Sequence, residues 1–186
     1  MAQVKLNPVL LCLLGQIGGF VYKTRRGKMY ASRKPVFKPG HFNDAQKAVQ
    51  VRFGRASRYA MGVMADPEAR APYDMVAKTI DASVQNLIVA DFIEAPSVDE
   101  IDLRDYDGEP GSTIRIRASD DFDVMAVHVV VSGPAGEEIE RGGAIPSSRE
   151  LDCWVYTATT SAPPHVRVEA TATDRPGNKT TKVENT

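Results

Sequence analysis

The hydrophobic pattern of this chain changes period partway along. Up to about residue 93 it holds short strand-like runs followed by segments of helical period; beyond residue 111 it holds short alternating segments. Residues 20–24 (Phe20-Val21-Tyr22-Lys23-Thr24) and 28–33 are aromatic and β-branched runs around Arg25-Arg26-Gly27, which predicts a β-hairpin. Asn43 followed three residues later by Gln46 is a capping-box pair that opens a helix. In that helix Ala45, Val49, Phe53, Ala56, Ala60 and Val63 recur at three- and four-residue spacing and form the expected buried face. Lys47, Arg55 and Arg58 fall on the opposite side. Asp66-Pro67-Glu68 predicts a second helix start, with a cap, proline in the first turn and an acid at the positive end of the dipole. Pro72 is expected to restart the helix, and Met75, Val76, Thr79, Ile80, Ser83, Leu87 and Ile88 to be its buried stripe.

Residues 112–118, 124–132, 137–141, 151–159, 165–173 and 179–184 read as six short strands. Turn residues separate them, among them Gly142-Gly143 and Pro176-Gly177-Asn178. The expected fold class is therefore an α+β N-terminal domain, a β-hairpin plus two or three helices, followed by an all-β sandwich. The expected boundaries are 1–95 for the first domain with an apolar, glycine-rich N-terminal arm, 96–111 for an acidic linker or edge strand, and 112–186 for the sandwich. Trp154 is the expected core aromatic.

Charge sharpens this division. Residues 1–60 carry twelve Lys and Arg against one acid, Asp44, a net +11. Residues 61–110 carry three bases against twelve acids, a net −9, and residues 111–186 carry eight against eleven, a net −3. Sorting of this kind points to a polyanion or to a complementary protein surface, in the same chain or in another copy.

The chemistry of a catalyst is not evident. His41, His128 and His165 are scattered, and no zinc spacing, nucleophile elbow, P-loop or dinucleotide fingerprint occurs. Cys12 and Cys153 lie in different halves and read as buried free thiols. Val9 to Leu14 is too short for a secretory core or a membrane span, so the expectation is synthesis in the cytoplasm without a signal peptide, in a virion or a released assembly.

The segment from Ile114 to Asn178 resembles bacterial immunoglobulin-like domains. The resemblance lies in Ile114-Arg115-Ile116-Arg117-Ala118-Ser119-Asp120-Asp121-Phe122, Val127 to Val131, Trp154 to Thr159, and the closing Ala172-Thr173-Asp174-Arg175-Pro176-Gly177-Asn178. It implies an immunoglobulin-like sandwich. The first 90 residues resemble a family of uncharacterised bacterial, partly prophage-associated proteins. That resemblance lies in Asn7-Pro8-Val9-Leu10, Gly15-Gln16-Ile17-Gly18, Val21-Tyr22-Lys23, Gly27-Lys28, Arg33-Lys34-Pro35 and Gln46 to Phe53. It implies no activity.

Three constellations remain. Asp120, Asp121, Asp123 and Asp174, with Asp105 and Asp107, are candidate Ca²⁺ ligands at one end of the sandwich, or simply turn formers. Beyond this Ca²⁺ the sequence implies no cofactor. Lys23, Arg25, Arg26, Lys28 and Arg33, together with Arg55 and Arg58, form a candidate interface, and the acidic stretch 91–109 is expected to compete for it with any nucleic acid. Val9, Leu10, Leu11, Leu13 and Leu14 are either core or an arm inserted into a neighbouring copy. The expectation is a non-catalytic, self-assembling structural protein of virion, filament or sheath type, with itself as partner. The alternatives are a nucleic-acid-binding structural protein and an adhesion or carbohydrate-binding module.

Overall fold

The computed structural model describes residues 2–3, 15–25, 28–36 and 42–186. The chain divides into two compact units, Met1–Lys47 and Ala48–Thr186. The first helix starts in the first unit and continues into the second, which also holds the two later helices and the strands after residue 96.

In the first unit, β1 (Ala2–Gln3), β2 (Gly15–Ile17), β3 (Phe20–Arg25) and β4 (Lys28–Arg33) form an antiparallel sheet in the order β1-β4-β3-β2. The predicted hairpin is β3–β4, in register from Phe20 opposite Arg33 to Arg25 opposite Lys28. Lys23 stands opposite Tyr30, and Met29 is buried. Helix α1 (Asp44–Ala65) opens on the expected capping box: the Gln46 amide N–H donates to Asn43 Oδ1 at 2.8 Å, and the Asn43 N–H donates to Gln46 Oε1 at 2.9 Å.

In the second unit α1 continues, followed by α2 (Pro67–Ile80) and α3 (Val84–Ile93). Asp66 caps α2 through its side chain, as its sequence context predicts. Pro72 does not restart that helix but lies inside it. The break comes later, at Asp81, which takes a left-handed conformation. The predicted buried stripes are only half right. Ala56, Ala60 and Val63 of α1 are buried, while Ala45, Val49 and Phe53 on the same stripe are exposed. On α2 the buried residues are Tyr73 and Ala77, whereas Met75, Val76, Thr79 and Ile80 face outward. The break at 81–83 resets the helical phase, which a single stripe drawn across residues 72–90 cannot follow.

The strands after residue 96 form two four-stranded antiparallel sheets. One has the order β5-β6-β10-β9: β5 (Ser97–Asp102), β6 (Thr113–Ser119), β10 (Cys153–Thr157) and β9 (Ile145–Pro146). The other has the order β12-β11-β7-β8: β12 (Lys179–Asn185), β11 (Arg167–Asp174), β7 (Val124–Ser132) and β8 (Glu138–Gly143). Both contribute to one core. It contains Ile114, Ile116 and Ala118 of β6, Val127, Val129 and Val131 of β7, and Val168, Ala170 and Ala172 of β11, all at period two. The protein is thus a mixed α+β fold with sandwich-like sheets. Of the two expectations for 96–111, a strand forms at its start, and β5 lies on the edge of its sheet. Its core residues Val98 and Ile101 are three apart, out of phase for a regular strand. A register shift between Val98 and Glu100 restores the phase.

Two local expectations need correction. Trp154 is only half-buried at the margin of the core, and Tyr156, two residues on, is the buried aromatic of β10. Burial beside Glu140 pushes the Tyr156 phenol up to about 12. Gly142-Gly143 is not a turn but the end of β8, paired with Val129 and His128 of β7, and a Cβ on Gly142 would stand 2.7 Å from Tyr156 Cε2. Glycine here makes room for the ring.

Ile116→Ala removes a fully buried side chain, so it should lower unfolding free energy by about 2–5 kcal/mol. Gly142→Ala should cost about 1–3 kcal/mol by displacing the Tyr156 ring. Urea unfolding followed by circular dichroism measures both. Unchanged midpoints would place these residues outside the core.

Candidate metal centre

Three aspartates meet where the helices join the sandwich. Asp91 lies near the C-terminal end of α3, Asp120 in the β6–β7 connection, and Asp174 at the end of β11. One oxygen of each lies within 4.8 Å of the others. Asp91 and Asp174 are buried, at 2 % and 3 % exposure, and Asp120 is half-buried.

Each position follows from local chemistry. Asp174 Oδ1 accepts from the Gly177 and Asn178 backbone amides, at 2.8 and 2.6 Å, and holds the turn that follows β11. Gly177 takes φ +93° in that turn, a conformation that costs glycine least. Asp120 Oδ2 accepts from the Phe122 and Asp123 amides and closes a turn of its own. That turn sends Phe122 into the helical cluster of Ala60, Val63, Tyr73 and Ile88, where it stacks on Tyr73 with ring centroids 4.3 Å apart.

Asn178 completes the joint. Its Nδ2 donates to Asp174 Oδ2 at 2.7 Å and lies 3.2 Å from both the Phe92 and Glu94 carbonyls, at the end of α3. An amide nitrogen has only two hydrogens, so these acceptors share them. Helix-terminal carbonyls lack partners within their own helix, and Asn178 supplies one. The Asp174-x-x-Gly177-Asn178 pattern thus closes a turn with its Asp and fastens a helix to the sandwich with its Asn.

Asp91 is the costly member. Tyr73 donates its hydroxyl to Asp91 Oδ2, while Oδ1 is buried without a hydrogen-bond partner. Burial pushes the Asp91 carboxyl up to about 6, and the Asp120 and Asp174 charges push the same way. The Tyr73 hydrogen bond and the Arg175 guanidinium act in the opposite direction. Tyr73 and Tyr59 are both pushed up, chiefly by burial. Arg175 is the nearby cation. It pairs with Asp123 Oδ2 at 3.1 Å, lies 5.9 Å from the Phe122 ring centroid, and buries its Nε without a partner.

Of the four Ca²⁺ candidates from the sequence, Asp120 and Asp174 therefore come together, Asp123 is paired with Arg175, and Asp121 is exposed and outside the cluster. Asp105 pairs with Arg115 at 3.1 Å, and Asp107 accepts from the Glu109 amide. Asp91 was missed because it reads as an ordinary helix residue, and only the fold brings it to the other two.

The interface candidates are placed less fully. Val9, Leu10, Leu11, Leu13, Leu14 and Arg26 lie outside the described residues, as do Cys12 and His41. Arg25 ends β3. Lys23, Lys28, Arg33, Arg55 and Arg58 are all exposed. Within the acidic stretch 91–109 Asp91 is buried, while Glu94, Asp99, Glu100, Asp105, Asp107 and Glu109 are exposed. Asp99 accepts from Ser97 and Ser119, and Asp102 is held near 2 by hydrogen bonds from Arg104. Cys153 is a buried free thiol, pushed up by that burial. Among the described residues no helix is long and apolar enough to cross a membrane.

No protein-family model and no curated protein matches the chain. Among solved structures it is similar to CopC from Methylosinus trichosporium OB3b, at 11 % identity and TM-score 0.37, over 48 % of this chain and 89 % of that one. It is also similar to a conjugative transposon lipoprotein from Bacteroides eggerthii DSM 20697, at 12 % identity and TM-score 0.26, over 48 % of this chain and 92 % of that one. Scores this low leave fold and function to the residues themselves.

Two predictions follow from the joint. Asn178→Ala strips the α3 carbonyls of their donor and should cost about 1–3 kcal/mol in urea unfolding, whereas a cost near zero would mean that water replaces the amide freely. The second concerns pH. Asp91 holds its proton more tightly folded than unfolded, so its contribution is fully present below about pH 4 and is lost as pH rises through about 6. In metal-free buffer Asp91→Asn should therefore raise stability above pH 6, by on the order of 1 kcal/mol, and little below pH 4. Equal effects at both ends would show that Asp91 is not the titrating group.

Proposed function

We propose that this protein is a non-catalytic, self-assembling structural subunit whose helices supply contacts between copies and whose sandwich is an immunoglobulin-like outer module. The observation that carries the reading is the apolar stripe of α1. Its C-terminal half, Ala56, Ala60 and Val63, is buried inside the unit. Its N-terminal half continues the stripe through Val49 and Phe53 at 67 % and 55 % exposure. One continuous stripe, half covered, is suited to a second partner.

The occupant we assign is another copy of this chain. The outer face of α2 offers Met75, Val76 and Ile80, with the exposed acids Glu68 and Asp81 at its two ends. The α1 stripe is flanked by exposed Arg55 and Arg58, which have no ion-pair partner among the described residues. An α1-to-α2 contact matches apolar to apolar and base to acid. It joins two different surfaces, so it propagates into a ring or a filament. The sheet orders support the immunoglobulin-like reading, since β5-β6-β10-β9 and β12-β11-β7-β8 correspond to the A-B-E-D and G-F-C-C′ arrangement of such sandwiches.

A second reading has its own observation. Lys23 and Lys28 are exposed on a hairpin with half-buried Tyr22 and Tyr30. Single-stranded nucleic acid fits such a surface.

Sedimentation velocity over a concentration series tests the first reading. Wild type should associate, and association should weaken with added salt. Phe53→Asp and Ile80→Asp should each block growth, and mixing the two variants should restore a dimer through their intact faces. A monomeric wild type at high concentration would overturn the proposal. Salt-sensitive, stoichiometric oligonucleotide binding, lost when Lys23 and Lys28 become Ala, would favour the second reading.

A further inference from the structure

We propose that Asp91, Asp120 and Asp174 bind a hard divalent cation, Ca²⁺, which locks the helices to the sandwich. Three carboxylates from three separate elements converge with one oxygen each inside 4.8 Å. Ca²⁺ binds oxygen ligands at about 2.3–2.6 Å, so a single ion can touch oxygens spaced this way. A cluster of acids alone would not point to an ion, since acids often gather to hold turns, as Asp120 and Asp174 also do here. The independent observation is Asp91 Oδ1, which belongs to a side chain 98 % buried by its 2 % exposure and has no hydrogen-bond partner. A buried carboxylate oxygen without a donor is unstable unless a proton or a cation meets it.

The surrounding charges favour a cation. Three carboxylates face one guanidinium, Arg175, which is already paired with Asp123. The other polar groups against Asp91 are the Tyr73 and Tyr59 phenols, both pushed up and so neutral. Carboxylate oxygens gathered to within 4.8 Å suit the longer bonds and flexible geometry of Ca²⁺ better than Mg²⁺, which demands near-octahedral geometry and gives up water reluctantly.

The experiment uses the full chain, stripped with a chelator and exchanged into metal-free buffer. Thermal unfolding and titration calorimetry are run with CaCl₂ or MgCl₂ at about pH 7.5, well above the ordinary carboxylate range. Ca²⁺ should raise the melting temperature, since it binds the folded chain. Asp120→Asn, half-buried and close in shape, should abolish the Ca²⁺ response while leaving the far-ultraviolet circular dichroism unchanged. Tb³⁺, a Ca²⁺ surrogate, should show emission sensitised by Tyr73, reversed by added Ca²⁺ and lost in the same variant. Absence of a Ca²⁺ response at millimolar concentration, or a response that survives Asp120→Asn, would overturn the proposal. An equal response to Mg²⁺ would overturn the assignment to calcium.

Discussion

A carboxylate is buried at the seam of this protein, and the seam is built around it. Asp91 leaves water at the end of α3, where it meets the hydroxyl of Tyr73 and the acids Asp120 and Asp174. Desolvating a charged group is expensive unless the surroundings compensate. The compensation comes from several directions: a phenol from α2, a guanidinium just after β11, and an upward shift that lets the carboxyl carry its proton in mildly acidic solution. Neighbouring apolar groups depend on the same seam. Phe122 reaches the helical cluster only because the Asp120 turn aims it there, and Asn178 reaches the α3 carbonyls only because Asp174 holds its turn. The helices and the sandwich therefore share polar and apolar contacts at one place, which accounts for their grouping in one unit.

Position along the chain decided what the sequence could reveal. Local signals were legible. The Asn43–Gln46 box, the Asp66-Pro67 start, the β3–β4 hairpin and the alternating strands each depend on neighbours within a few residues, and each forms. Helical stripes were legible as periodicity but not as burial. Val49 and Phe53 have the same spacing as Ala56 and Ala60, and nothing in the spacing says which half of α1 another element covers. Trp154 and Tyr156 share one face of β10, so strand alternation cannot separate them; Tyr156 is buried in the core and Trp154 packs at its margin, a difference set by what lies over each position.

The candidate site was half legible for the same reason. Asp120 and Asp174 stand in turn motifs that single them out, whereas Asp91 sits in an otherwise apolar helix and gains its partners only from tertiary structure. The charge blocks also changed meaning. The +11 of the first 60 residues remains largely exposed where it is described, and of the −9 that follows it Asp91 is buried and Asp105 pairs with Arg115 from outside the segment.

The central claim is that Asp91 is a buried carboxyl whose ionisation is set by this seam. Carbon-13 NMR titration of the aspartate side-chain carboxyls in metal-free buffer measures it directly. The account predicts one carboxyl titrating near 6, assigned to Asp91 by its loss in Asp91→Asn, well above its siblings. An Asp91 resonance titrating at the ordinary value of about 4 would mean that water reaches the group, and the seam as described would be wrong.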